Sequence, residues 1–321
     1  MQVFFGALNN ILSIVLLIST GWGLARLKWF SDEGSQLIAK LVTGVALPCL
    51  MIYNISHTFT KEQLIELSAG MFLPIVAAAI CIIVGAIVVK IAKVRAGRRG
   101  LLHSTFYVSN TIFIGLPINL ALFGESSVPY VLIYYIVNTV AFWVIAVNII
   151  ATEKEPHKNW REFLSVATVQ KIFSPPLLGF IIAVIIVLFK IPLPEAVLQT
   201  CKHLGSMTTP LSMLFIGIAI SRIKLTWSYF DKDIFLALGA RFLLAPILVI
   251  GLHQLWPVPN TLMFKVFVIQ AAMPVMTQSA IIAKYYNVDA EYAAMLTTVS
   301  TLLAMLVIPF YMWLFATVMH I

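Results

Sequence analysis

Four prolines sit at matching places in the two halves of the chain, inside apolar segments, and polar side chains crowd around two of them. Pro117 follows Ser109, Asn110 and Thr111 and precedes Asn119, while Pro274 lies between Gln270 and the run Thr277, Gln278, Ser279. Proline has no N–H and its ring clashes with the preceding turn, so it frees backbone groups that lipid cannot satisfy. Half-helix N-termini at such breaks present unpaired N–H donors and a positive dipole end, which suits a carboxylate. Asn110, Thr111, Pro117, Asn119, Pro274, Thr277 and Gln278 are therefore the candidate ligand contacts. Asn110 and Gln278 lead the set, and hydrogen bonding between packed helices is the alternative role for both. Arg241 completes it as the one clearly intramembrane charge. With no acidic residue within a helical turn, it is either a substrate contact or a cation that snorkels to the interface beside Asp231 and Asp233, and both readings stand.

The elements that must position these residues are membrane helices. Of 321 residues, 61% are hydrophobic and 11% charged, against roughly 45–50% and about 25% in soluble domains. Spanning a hydrocarbon core takes about 20 apolar residues. Ten such segments are expected, near 5–25, 36–56, 68–90, 101–123, 128–151, 172–190, 197–220, 234–256, 262–283 and 290–317. The first carries no Lys or Arg ahead of Arg26 and no small-residue cleavage site, so it is expected to remain in the mature chain. Basic residues collect in alternate loops, for example Arg26 and Lys28, then Lys90, Lys93, Arg95, Arg98 and Arg99, then Arg222 and Lys224. The opposite loops hold only Lys61, Lys190, Lys202 and Lys265. That asymmetry places both termini outside the cytoplasmic membrane. It also makes the net charge of +8 a topology signal, and nucleic acid is not an expected partner.

The hydrophobic pattern is written twice. Pro48 and Pro210 interrupt the second and seventh segments, and Pro117 and Pro274 the fourth and ninth. Between the halves lies the one long hydrophilic stretch, 152–171, with Glu153, Lys154, Glu155, Pro156, His157, Lys158, Arg161 and Glu162. Five spans before it force the second half to enter the membrane from the opposite face. The expected fold is thus an all-α polytopic membrane protein: ten transmembrane helices in two inverted five-helix repeats, 1–151 and 172–321, joined by a cytoplasmic linker, with helices four and nine broken and crossing. Paired interruptions of this kind point to a secondary transporter with its site at the breaks.

The residues around the breaks resemble a known family. Val108-Ser109-Asn110-Thr111-Ile112-Phe113-Ile114-Gly115-Leu116-Pro117 followed by Leu122-Phe123-Gly124, Pro210-Leu211-Ser212-Met213-Leu214-Phe215-Ile216-Gly217, Ala272-Met273-Pro274, Ala283-Lys284-Tyr285-Tyr286-Asn287-Val288-Asp289, Ser300-Thr301 and Ile308-Pro309 are similar to the auxin efflux carrier family. The resemblance implies a fold like that of the bile acid:sodium symporters, with helices four and nine crossing at the substrate site. It implies small organic anions as substrates, malate, malonate or related carboxylates in bacteria and auxin in plants. Where many members have glycine, this chain has Ser109, and the long cytoplasmic loop of many plant members is absent. Expected partners are the organic anion and membrane lipid, with a homodimer left open.

No GxSxG elbow, HExxH helix, paired-aspartate motif or Walker loop occurs, so neither an enzyme nor a self-powered pump is expected. Cys49, Cys81 and Cys201 are isolated in apolar segments and read as packing residues, leaving no cofactor or metal expected. Because no Asp or Glu falls in a span interior, a carboxylate proton relay has no visible carrier; uniport and sodium coupling both remain. A cysteine introduced near Gly97 should be protected from an impermeant thiol reagent in intact cells, and one near Ser126 should react. Labelling with the opposite sidedness would overturn the orientation.

Overall fold

The computed structural model describes residues 2–58, 60, 67–154, 170, 172–222 and 230–319. Most of the expected linker, 155–169 and 171, lies outside them. The described residues form helices and turns with no strand. In chain order these are α1 (Gln2–Arg26), α2 (Asp32–Leu41), α3 (Leu47–Thr58), α4 (Phe72–Ile91), α5 (Arg99–Thr105), α6 (Leu116–Phe123), α7 (Val128–Val140) and α8 (Val147–Thr152), then α9 (Pro175–Leu188), α10 (Glu195–Ser206), α11 (Thr208–Arg222), α12 (Lys232–Gly239), α13 (Ala245–Leu255), α14 (Thr261–Ala271), α15 (Gln278–Tyr285) and α16 (Ala290–Thr317). Among the described residues, six helical rods are long and apolar enough to cross a membrane: Asp32–His57, Leu67–Ile91, Glu125–Thr152, Glu195–Arg222, Lys232–Leu255 and Ala290–Thr317. Four shorter apolar helices accompany them, Leu12–Arg26, Thr111–Phe123, Pro175–Leu188 and Thr261–Ala271.

Several rods contain a five- or six-residue π-helical stretch. Val42–Ala46, Thr111–Gly115 and Ala240–Leu244 each end two residues before a proline, respectively Pro48, Pro117 and Pro246. Proline clashes with the carbonyl four residues earlier and leaves it without a partner; widening the turn moves that carbonyl aside. Phe242, four residues before Pro246, has its carbonyl taken by the Tyr311 hydroxyl at 2.7 Å. Ala141–Ala146 is also π-helical, and no proline explains it.

Contacts divide the chain into two compact units. One comprises Met1–Ala69, Ile112–Ile133 and Phe173–Arg222; the other Gly70–Thr111, Tyr134–Ile172 and Ile223–Ile321. Each unit draws helices from both halves of the sequence, so the units are not the halves 1–151 and 172–321. In the first unit glycines let helix backbones approach closely. A Cβ at Gly21 would collide with the backbone of Leu214, and one at Gly217 with the carbonyl of Ile18, so α1 and α11 pack in backbone contact. Gly179 does the same for α9 against Pro48, and Gly205 for α10 against Leu50. Such small-residue contacts are how apolar helices associate where lipid removes the hydrophobic drive.

The second unit is tied at one end by a buried cation. Arg98 is 6% exposed and donates from Nε to Asp289 at 2.6 Å and from Nη1 to Asp231 at 2.8 Å. Both aspartates are helix N-caps that use their other oxygen on backbone N–H groups. Asp289 accepts from Tyr292 in α16 at 2.9 Å, and Asp231 from Asp233 and Ile234 in α12. Glu153 similarly closes the start of α5, accepting from the N–H groups of Gly97 and Gly100 at 2.7 and 2.6 Å. Burial alone would lower the Arg98 pKa; its hydrogen bonds and attraction to Asp289 and Asp231 outweigh that and raise it. The guanidinium also lies 4.5 Å from the ring centre of Tyr292. Removing one partner of a buried ionic cluster leaves the others uncompensated. Arg98→Ala should therefore lower stability by about 2–4 kcal/mol, read as a fall in melting temperature in detergent. Asp289→Asn keeps a good cap and should cost clearly less; equal losses would assign the whole effect to the Arg98–Asp289 ion pair.

Candidate functional site

The fourth and ninth segments both lose their helix, and the two breaks are hydrogen-bonded to one another. In the fourth, α5 ends at Thr105 and the chain turns and then extends through Phe106–Asn110 before helix resumes at Thr111. The break thus precedes Pro117, which follows the π-helical stretch Thr111–Gly115 inside the resumed helix Thr111–Phe123. Expecting the interruption at Pro117 placed it several residues too late. In the ninth, α14 ends at Ala271 and helix resumes at Gln278, with Pro274 inside the gap.

Four side chains and one backbone pair satisfy what the breaks release. The Asn110 N–H donates to the Pro274 carbonyl at 2.8 Å, and Asn110 Nδ2 to Thr277 Oγ1 at 2.8 Å. Asn138, on α7, grips the backbone of Ser109 from both sides. Its Oδ1 accepts from the Ser109 N–H at 2.8 Å and its Nδ2 donates to the Ser109 carbonyl at 3.1 Å. The Ser109 hydroxyl donates to the Gln270 carbonyl at 3.0 Å, and Gln270 Nε2 returns to the Thr111 carbonyl at 3.3 Å. On the far side of Pro274, the Val275 N–H donates to Ser300 Oγ at 3.1 Å. Ser109 keeps a negative φ, unlike the positive-φ residues Lys28, Lys93, Lys190 and Asn287. A serine is therefore accommodated where a glycine is common, and its hydroxyl is put to use.

Beneath the breaks sits Arg241, 0% exposed. It projects from the π-helical stretch Ala240–Leu244 and donates to three main-chain carbonyls: from Nε and Nη2 to Ala271 at 3.1 and 2.6 Å, and from Nη1 to Thr105 and Val108 at 3.0 and 2.9 Å. Thr105 and Ala271 are the last residues of α5 and α14. The final carbonyls of a helix have no partner within it, and its C-terminal end carries partial negative charge. One guanidinium answers both needs for two helices at once. No carboxylate contacts it among the described residues. Desolvating the cation costs several kcal/mol, which four charge-assisted bonds of roughly 1.5–3 kcal/mol each can offset. Full burial excludes snorkelling.

Of the expected set, Asn110, Pro274 and Thr277 are brought into direct contact, with Thr111 linked through Gln270 and Arg241 bracing the helix ends. Gln278 opens α15, and its Oε1 is buried without a hydrogen-bond partner, as is Oε1 of the fully buried Gln270. Pro117 and Asn119 are not part of this cluster; they belong to α6 in the other unit, where Asn119 Nδ2 donates back to the Gly115 carbonyl at 2.7 Å. Two residues exceed their sequence reading. Asn138 is not in the expected set; its signal in the sequence is an amide within an apolar segment, one that it shares with Asn148. Asp233 is 0% exposed, with both oxygens lacking hydrogen bonds and Arg98 Nη1 4.0 Å away; its place at a segment end hid its burial.

A family model described as membrane transport protein matches residues 7–312. The chain belongs to that family. It is 26% identical over 316 residues to an uncharacterized transporter of Methanothermobacter thermautotrophicus, covering 96% of this chain and 98% of that protein. It is 23% identical over 319 residues to an uncharacterized transporter of Methanocaldococcus jannaschii, with coverage of 96% and 98%. Family and relatives alike are named as transporters, in keeping with the auxin efflux carrier resemblance and the apolar helical rods.

If Arg241 holds the two helix ends together, Arg241→Lys should fold with a lowered melting temperature, since one ammonium cannot reproduce the planar fork. Arg241→Gln should lose more, because orphaned buried carbonyls cost about 1–3 kcal/mol each. Parent-like melting of Arg241→Gln in detergent would refute the bracing role.

Proposed function

We propose that the protein is a secondary carrier of small organic anions, of the malate or malonate type, working by alternating access in the cytoplasmic membrane. The fold behind this reading is ten spans in two inverted five-helix repeats, with both termini outside and the fourth and ninth spans crossing at the substrate site. The observation that carries it is the direct pairing of the two broken segments, Asn110 N–H to the Pro274 carbonyl and Asn110 Nδ2 to Thr277 Oγ1. Broken helices whose interruptions face each other are where such carriers bind solutes.

Electrostatics favour an anion there. The C-terminal carbonyls of α5 and α14 are neutralised by Arg241, whose charge no described carboxylate contacts. The N-terminus of α15 starts immediately after Thr277 and carries the positive dipole end of any helix start, with the Ser279 N–H taken by the Met276 carbonyl at 3.0 Å. A carboxylate seated near Asn110 and Thr277 would meet that positive end, with Asn110, Thr111 and Gln278 supplying side-chain contacts. In this reading Arg241 acts through the backbone and through its field, while Pro117 and Asn119 shape the helix that follows the break.

Purified protein in liposomes, offered a panel of mono- and dicarboxylates with and without a sodium gradient and a membrane potential, tests the reading and separates uniport from sodium symport. An auxin-like aromatic carboxylate in the panel covers the exporter alternative. Asn110→Ala should cut uptake at least about tenfold, equivalent to the ~1.4 kcal/mol of one well-made hydrogen bond, and Pro274→Ala should reduce transport far more than yield. Parent-like uptake by both variants would remove the site from the paired breaks, and failure of every carboxylate to move would overturn the substrate class.

A further inference from the structure

At the end of α4, away from the paired breaks, a cleft of about 380 Å3 is lined by Ala86, Val89, Lys90, Lys93 and Arg99. Ala86 and Lys90 stand one helical turn apart on α4, and Lys93 follows beyond the end of that helix with a positive φ of 50°, so the wall of the cleft changes from apolar to cationic where the helix stops. Arg99 is held in place by its Nε, which donates to the Val94 carbonyl at 3.0 Å, leaving its Nη groups for another acceptor. Lys232 adds a further cation nearby through its bond to the Ala92 carbonyl at 2.6 Å. No acid lines the cleft. Of the carboxylates at this end of the unit, Glu153 is engaged on Gly97 and Gly100, Asp231 and Asp289 on Arg98, and Asp233 is fully buried 4.0 Å from Arg98 Nη1. Alongside, the outward stripe of α4 is bare and aliphatic: Ile83, Ile87 and Ile91 are 60, 51 and 75% exposed.

We propose that this cleft binds the phosphate headgroup of an anionic glycerophospholipid, with an acyl chain laid along Ile83 and Ile87. The cations supply the headgroup charge and Arg99 the fork that fits a phosphate diester. Basic pockets at the membrane interface are suited to acidic lipids. A soluble phosphate would satisfy the cations alone; the small Ala86 below Lys90 and the exposed isoleucines give the site a second, apolar half that only a lipid uses. The proposal is independent of which solute is carried.

Delipidated protein in neutral detergent is titrated with phosphatidylglycerol, phosphatidylcholine and glycerol 3-phosphate, and bound lipid is counted by native mass spectrometry beside the thermal shift. Phosphatidylglycerol should remain bound and raise the melting temperature, and the other two should not. The triple variant K90Q, K93Q, R99Q should bind it at least about tenfold more weakly, since each basic residue near an anionic headgroup adds to the attraction, while K190Q with K202Q should bind like the parent. Equal retention of phosphatidylcholine, unchanged binding by a folded triple variant, or a shift given equally by glycerol 3-phosphate would each overturn it.

Discussion

A membrane helix that stops in the middle of the bilayer leaves carbonyls that nothing in lipid can satisfy, and Arg241 is the answer this chain gives. Its guanidinium reaches the ends of α5 and α14 together, and that is what allows both segments to stop beside one another. The rest of the arrangement is downstream of this. Asn138 can straighten the backbone at Ser109 only because α5 has already ended, and Asn110 reaches Pro274 and Thr277 only because α14 has. A buried cation is costly wherever it sits; here its cost is offset by backbone groups that would be costlier without it.

The second buried arginine solves the opposite problem. Arg98 gathers helix starts where Arg241 gathers helix ends, and it does so indirectly, through aspartates that keep one oxygen for the cap and give the other to the guanidinium. α5 is bracketed by both, with Glu153 and Arg98 at its beginning and Arg241 at its end. A seven-residue helix is too short to persist on propensity, so its position is set by these two electrostatic anchors and by the close contact of Gly100 with Ile150.

Much of this was legible in the sequence, and what was not has physical reasons. Polar residues clustered beside prolines in apolar runs revealed the breaks, because lipid tolerates such groups only where something answers them. Pro274 marked its break correctly, whereas Pro117 did not, since the widened turn Thr111–Gly115 lets the helix run on through it and the interruption lies upstream. Asn110 and Thr277 could be named, yet their bond to each other could not, because it spans 167 residues of chain. Arg241 could be flagged as anomalous, but its partners are main-chain carbonyls, which carry no signature in side-chain pattern. The compact units escaped notice for a related reason: periodicity describes one helix at a time, and contacts decide which helices belong together.

The π-helical stretches bear on how such rods are read. Each accommodates about one residue more than an α-helical turn, so the side chains on either side fall out of phase by about 100°. A rod such as Lys232–Leu255 therefore does not show one continuous apolar stripe; it changes face part-way along, at the point where Arg241 leaves it. The proline two residues beyond is what makes the phase change permanent. A single-residue deletion within Ala240–Leu244 would restore an ordinary helical register while rotating everything on one side of it, so these positions tolerate substitution of side chains far better than any change in the number of residues.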